Sequence, residues 1–127
     1  MPRYIIKFVC GAYTTEFLTK QEDVYIKWKN AISKWCIQTD FHTKFKVIKK
    51  LGEGQFAEVY KAQNLENQEK FAIKQFVKPD SGKGFMRDIL KLEIRLMHEL
   101  SAVPHKNICN LHEIHETKNC IYLVMDL

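Results

Sequence analysis

One residue of this chain could sit on phosphate oxygens: Lys74 supplies a cation. Upstream, Gly52-Glu53-Gly54-Gln55-Phe56-Ala57 places a glycine pair in a tight turn. Glycines there can take positive φ and let backbone N–H groups approach anionic oxygens with no Cβ in the way. Val59 follows the second glycine, and Phe71-Ala72-Ile73-Lys74 closes the unit. Loop, valine and lysine together describe a nucleotide clamp: backbone over phosphates, an apolar lid over a base, one cation on the phosphate oxygens.

Other chemistries fit parts of the chain less well. The glycine hexapeptide also matches the dinucleotide-binding pattern G-x-G-x-x-G/A, in which the loop opens a helix. Here Glu58-Val59-Tyr60-Lys61-Ala62 follows and reads as a strand, so a hairpin lid fits better. Ser81-Gly82-Lys83-Gly84 does not make a Walker loop: Val77 stands where the leading glycine is required, and Gly84 replaces the serine or threonine. Cys109, His112, His115 and Cys120 are spaced C-x2-H-x2-H-x4-C, donors that zinc accepts. Yet the segments around them read as two strands joined by a Thr-Lys-Asn turn. Side chains at odd separation on a strand point to opposite faces, so His112 and His115 are expected to diverge as ordinary surface histidines. No metal ligand is assigned.

The elements that must position these residues follow from periodicity. Tyr4 to Val9 and Tyr13 to Thr19 are β-rich and separated by Gly11-Ala12, which predicts a hairpin. Thr19 with Glu22 suggests a capping box. From there Tyr25, Trp28, Ile32, Trp35 and Cys36 recur at helical spacing, placing two tryptophans on one face. Gln38 to Thr43 reads as a polar linker. Strands are expected at Phe45–Leu51, Glu58–Gln63, Lys70–Phe76, Ile108–His115 and Cys120–Leu127. The stretch from Lys78 to Gly84, with Pro79, Asp80 and Gly82, reads as a loop. A long helix spans Phe85 to Leu100, with Ile89, Leu92, Met97 and Leu100 among its apolar positions, and Pro104 ends that region. The expected fold class is α+β: a five-stranded antiparallel sheet with one long helix, preceded by a β-hairpin plus an amphipathic helix.

From about Phe45 to Leu127 the chain resembles the N-terminal, ATP-binding lobe of a eukaryotic protein kinase. The resemblance implies that Leu51 and Val59 sandwich adenine from above, with Ala72 beside them. It implies that Gly52, Glu53, Gly54, Gln55, Phe56 and Ala57 form the phosphate-covering loop, Ala57 standing where the third glycine usually lies. Lys74 matches the lysine that contacts the α and β phosphates, and Glu93 the helix glutamate paired with it. Met125 falls at the back of the adenine pocket. Asp126 and Leu127 begin the hinge whose backbone meets the adenine edge. Met97 and Leu111 would stack as a spine holding the helix inward, with simple core as the alternative. His105-Lys106-Asn107-Ile108 resembles the family's His-Pro-Asn-Ile turn.

The implied cofactors are ATP and Mg2+, the metal ligands being expected in a C-terminal lobe. The resemblance implies a kinase, with a lean to serine/threonine specificity. No His-Arg-Asp or Asp-Phe-Gly motif occurs, so these residues alone are expected to be inactive, with a longer parent acting on a protein substrate. A pseudokinase or a membrane-recruitment scaffold is the alternative. Residues 1–40 resemble the C-terminal part of a pleckstrin-homology domain, through the strand pair, the Lys-Gln-Glu-Asp entry and Trp28. An unrelated helical extension is the alternative there. A membrane phosphoinositide would be a partner only through a complete upstream domain. The kinase lobe is expected to run from 44 to 127.

Composition agrees with a folded domain: 46% of 127 residues are hydrophobic, and the formal charge of +5 is dispersed. No nucleic-acid partner is expected. The four cysteines form no CxxC pair, no signal peptide precedes them, and no segment is apolar enough for a spanning helix. Reduced thiols in a cytoplasmic protein, peripheral at a membrane if the upstream domain is complete, are therefore expected.

Overall fold

A computed structural model describes residues 3–33, 36–78, 84–103 and 105–127. Trp35, Pro104 and the 79–83 part of the expected loop, with Pro79, Asp80 and Gly82, lie outside them. The chain divides into two compact units, Met1–Cys36 and Ile37–Leu127.

In the first unit β1 (Tyr4–Cys10) pairs antiparallel with β2 (Tyr13–Thr19). Gly11 turns the chain at φ 59°, a conformation glycine adopts without steric cost. Helix α1 (Glu22–Ile32) follows. The expected capping box does not form: the N-cap is Gln21, and the Thr19 hydroxyl accepts the Gln21 N–H at 3.1 Å. The helix also stops short of Cys36, and Trp28 is 61% exposed rather than docked. Two strands offer too little surface to cover the helix's apolar face. What remains is an apolar cavity of about 360 Å³ lined by Ile6, Phe8, Phe17, Val24, Tyr25 and Trp28.

The second unit is a five-stranded antiparallel sheet in the order β3-β4-β5-β7-β6, with one long helix. Its strands are β3 (Phe45–Glu53), β4 (Glu58–Asn64), β5 (Lys70–Val77), β6 (Leu111–Glu116) and β7 (Cys120–Met125). The strand expected from Ile108 begins only at Leu111. Ile108 is instead bonded back to the His105 carbonyl at 3.1 Å, and the His105 ring accepts the Asn107 N–H.

The expected linker is part of this unit. Gln38 adds a parallel bridge beside β6, donating to the Ile114 carbonyl at 2.8 Å and accepting from Glu116 N–H at 2.7 Å. A single helical turn, α2 (Phe41–Lys44), then buries Phe41 to 1% exposure. Its ring lies flat on Tyr122, centroids 3.8 Å apart and planes 4° apart. A polar composition hid one aromatic anchor.

Period-2 alternation gives the sheet two apolar faces. Phe41, Phe45, Ala62, Ile73, Tyr122 and Val124 form one cluster. Phe76, Ile114 and Leu123 form the other, covered by Leu90, Ile94 and Met97 of α3 (Gly84–Ser101). Leu92 and Leu100, expected among the helix's apolar positions, face outward at 56% and 48% exposure.

Of the two histidines His112 is exposed, as expected, but the two rings do not diverge. His112 is the extra residue of a β-bulge between Leu111 and Glu113. A bulge breaks alternation, so the odd-separation rule fails. Both rings lie against the same aromatic cluster, His112 on Phe71 and His115 on Phe45. Far from a surface residue, His115 is fully buried. Its Nε2 is 2.8 Å from Glu113, whose other oxygen accepts from Lys44 at 2.5 Å. Burial pushes the Glu113 carboxyl up, but hydrogen bonds from His115 and Lys44 outweigh it and hold the group down to about 2. Among the described residues no group of three or more His, Cys, Asp or Glu could hold a metal ion.

Candidate functional site

The glycine turn caps the β3–β4 hairpin. Gly52 pairs with Val59 and Glu53 with Glu58, and the Gly54 N–H closes the loop on the Ala57 carbonyl at 2.8 Å. A register shift between Lys50 and Gly52 leaves Leu51 outside the pairing, half-exposed. The glycines serve one of the two purposes expected of them. Among the described glycines only Gly11 has positive φ. Gly52 and Gly54 contribute room instead: a Cβ on Gly52 would meet nothing within 4 Å, and one on Gly54 only the Ala57 carbonyl at 3.8 Å. Gln55 and Phe56 sit at the tip, and Phe56 and Ala57 pack onto the Phe76–Ile114–Leu123 cluster. At the root, Lys50 bridges Glu53 at 2.7 Å and Glu58 at 3.3 Å. Hydrogen bonds from Tyr60 and then Lys50 lower the Glu58 carboxyl below its ordinary range.

Lys74 stands in β5 between Val59 of β4 and Leu123 of β7. Alternation puts Ala72, Lys74 and Phe76 on the face that α3 covers. There the Lys74 ammonium donates directly to Glu93 Oε1. The ammonium also lies 5.4 Å from the centre of the Phe76 ring. Glu93 is held on α3 among Leu90, Ile94 and Met97, the residues that dock the helix. The side chains of the pair are 29% and 26% exposed. That is desolvated enough for the contact to contribute about 1.5–3 kcal/mol, yet open enough for a ligand to reach the lysine.

Met125 lies across from both Ala72 and Leu111, and packs with Met97 and Leu111 on the same cluster. Asp126 behaves differently. Its carboxylate turns back to the start of β6, accepting the Asn110 N–H at 3.0 Å and lying 2.5 Å from His112 Nε2. Its own N–H donates to the Asn110 carbonyl at 3.1 Å. The His112 contact, then the Asn110 N–H, holds this carboxyl below its usual range. Val59, Ala72, Lys74, Glu93 and Met125 thus share one face, which Phe56 and Ala57 also touch. With the carboxylate and the N–H of Asp126 both engaged, its backbone carbonyl is left to meet a ligand. Sequence reasoning missed Phe76, whose i+2 spacing from Lys74 on a strand was a readable signal, and His112, for which only the bulge gives the cue.

Residues 45–127 match the family model described as the protein kinase domain. The chain belongs to that family. Curated relatives agree with this assignment. The kinase lobe is 42% identical over 83 residues to "CBL-interacting protein kinase 2" of Oryza sativa subsp. japonica, covering 65% of this chain and 18% of that protein. It is 36% identical over 84 residues to "Calcium/calmodulin-dependent protein kinase type II" of Schizosaccharomyces pombe, covering 66% and 16%. It is 37% identical over 84 residues to "CBL-interacting serine/threonine-protein kinase 7" of Arabidopsis thaliana, covering 66% and 19%. The chain therefore spans less than a fifth of the length of these relatives.

Proposed function

We propose that residues 44–127 are the ATP-binding lobe of a protein serine/threonine kinase. The longer protein would transfer the γ-phosphoryl group of ATP to protein hydroxyls. The observation that carries this reading is the Lys74–Glu93 ion pair, on the face where the glycine hairpin folds down. The residues fit a triphosphate: a partly exposed cation held in place, and open space above Gly52 where a phosphate oxygen could approach backbone. In this reading Lys74 holds the α and β phosphates and Glu93 positions it. Gly52, Glu53, Gly54, Gln55, Phe56 and Ala57 cover the phosphates. Leu51, Val59, Ala72 and Met125 enclose the adenine, and the backbone at Asp126 meets its edge. Magnesium, when bound, would neutralise phosphate charge, its protein ligands coming from outside these residues. Serine/threonine specificity is supported by the relatives named for it. The test is Lys74→Met in the full-length protein: phosphoryl transfer should be abolished while the fold stays intact. Turnover at the wild-type rate would remove Lys74 from this role.

We further propose that the 127-residue chain alone does not transfer phosphate and binds ATP weakly. Residues 1–40 we read as part of a pleckstrin-homology-like domain, supported by the hairpin, the amphipathic helix and the apolar cavity between them. Extension with additional strands should then fill that cavity and give binding to phosphoinositide vesicles. An extended protein that leaves Trp28 exposed would count against it.

A further inference from the structure

The residue after β7 is tied down by more bonds than a chain leaving a sheet needs. Asp126 is bonded to the Asn110 backbone in both directions, its N–H to the Asn110 carbonyl at 3.1 Å and its carboxylate to the Asn110 N–H at 3.0 Å. The remaining carboxylate oxygen lies 2.5 Å from His112 Nε2. His112 reaches it because it is the bulged residue of β6, between the pairs Leu111–Met125 and Glu113–Val124. A bulge re-aims one side chain out of the regular ladder. The imidazole also makes a T-shaped contact with the Phe71 ring, centroids 5.4 Å apart. Phe71 lies near the start of β5, the strand that carries Ala72 and Lys74, and Ala72 pairs with Met125. One imidazole therefore links three strands at the point where the chain leaves the sheet.

We infer that His112 is a positioning residue for nucleotide binding: it latches the Asp126 side chain and so fixes the backbone that meets the adenine edge. This rests on the ATP-binding reading above. A segment that has just left a strand is free to rotate about φ and ψ, and ordering it on binding costs about 1–2 kcal/mol per residue. A latch that orders Asp126 beforehand removes part of that cost, which raises affinity without any contact between His112 and the nucleotide. The side chains are 42% and 43% exposed, so the effect is modest. A charge-assisted hydrogen bond at such a site is worth about a fivefold change in an equilibrium.

Two substitutions separate the latch from simple packing. His112→Phe keeps an aromatic ring against Phe71 but removes the donor. His112→Gln places an amide N–H close to where Nε2 stands and restores the donor without the ring. In the 127-residue chain, amide exchange of the Asp126 N–H and the affinity for Mg-ATP, followed by chemical-shift titration, are read for all three proteins. The expected result is Asp126 exchange about fivefold faster and Mg-ATP affinity about fivefold weaker in His112→Phe, with both recovered in His112→Gln. Unchanged exchange in His112→Phe, or failure of His112→Gln to restore it, overturns the latch. Faster exchange with unchanged affinity overturns its positioning role. Should the wild-type chain bind Mg-ATP too weakly to saturate, affinity is read in the full-length protein; no binding there fails the ATP-binding reading and the positioning role with it, while the exchange rates still decide the latch.

Discussion

Glu113→Gln should destabilise the kinase lobe at neutral pH, and the loss should vanish in acid. Glu113 is only 15% exposed and takes hydrogen bonds from Lys44 and His115. Its carboxyl is held at about 2 against an ordinary 4.5. At about 1.4 kcal/mol per pH unit, that depression is worth roughly 3 kcal/mol of folding stability. A depressed carboxyl stabilises the fold fully above its unfolded value. The contribution therefore persists above pH 4.5 and is lost as pH falls toward 2. Glutamine imitates the protonated acid, accepting hydrogen bonds but offering Lys44 no charge. The wild type should exceed Glu113→Gln by about 2–3 kcal/mol at pH 7, and the gap should close progressively below pH 4.5. Urea unfolding followed through the methyl signals of Ile73 and Val124, both in the adjoining cluster, measures this gap at each pH. Taking the difference cancels the other carboxylates. A gap that stays constant from pH 6 to about pH 2.5 would refute the electrostatic argument and leave only a packing effect.

Four further outcomes can be checked. Phe41→Ala removes a ring that is 1% exposed and stacked on Tyr122, so urea unfolding should show a loss of about 3–5 kcal/mol. A chain beginning at residue 45, where the family match starts, should be destabilised comparably. Gly52→Ala should leave stability within about 0.5 kcal/mol of wild type, since its Cβ meets nothing within 4 Å, yet weaken Mg-ATP severalfold by occupying the space offered to phosphate. Breaking the ion pair with Glu93→Gln should cost about 1.5–3 kcal/mol in thermal or urea unfolding.

Much of this lobe could be read from residue order. The hairpin at the glycine turn was legible because two alternating segments flank it. Which helix face would dock was not. Leu92, Leu96 and Leu100 repeat at helical spacing as regularly as Leu90, Ile94 and Met97, so periodicity offers two apolar stripes. The Lys74–Glu93 contact is consistent only with the second facing inward. Phe41 was hidden because a lone aromatic in a polar stretch carries no period. His115 was misplaced because an inserted residue shifts alternation without leaving a mark in the composition. Of the two reasons the sequence offered for the glycines, space and not backbone conformation is what they supply.

Titration of the chain with Mg-ATP, followed through the Lys74 side-chain ammonium and the Gly52 and Gly54 amides, asks most directly whether the Lys74–Glu93 pair grips phosphate. Saturable shifts at these groups, abolished in Lys74→Met while the Ile73 and Leu123 methyl signals stay in place, are the predicted result. Shifts confined to other residues, or the same Lys74→Met protein binding Mg-ATP as tightly as wild type, would contradict it.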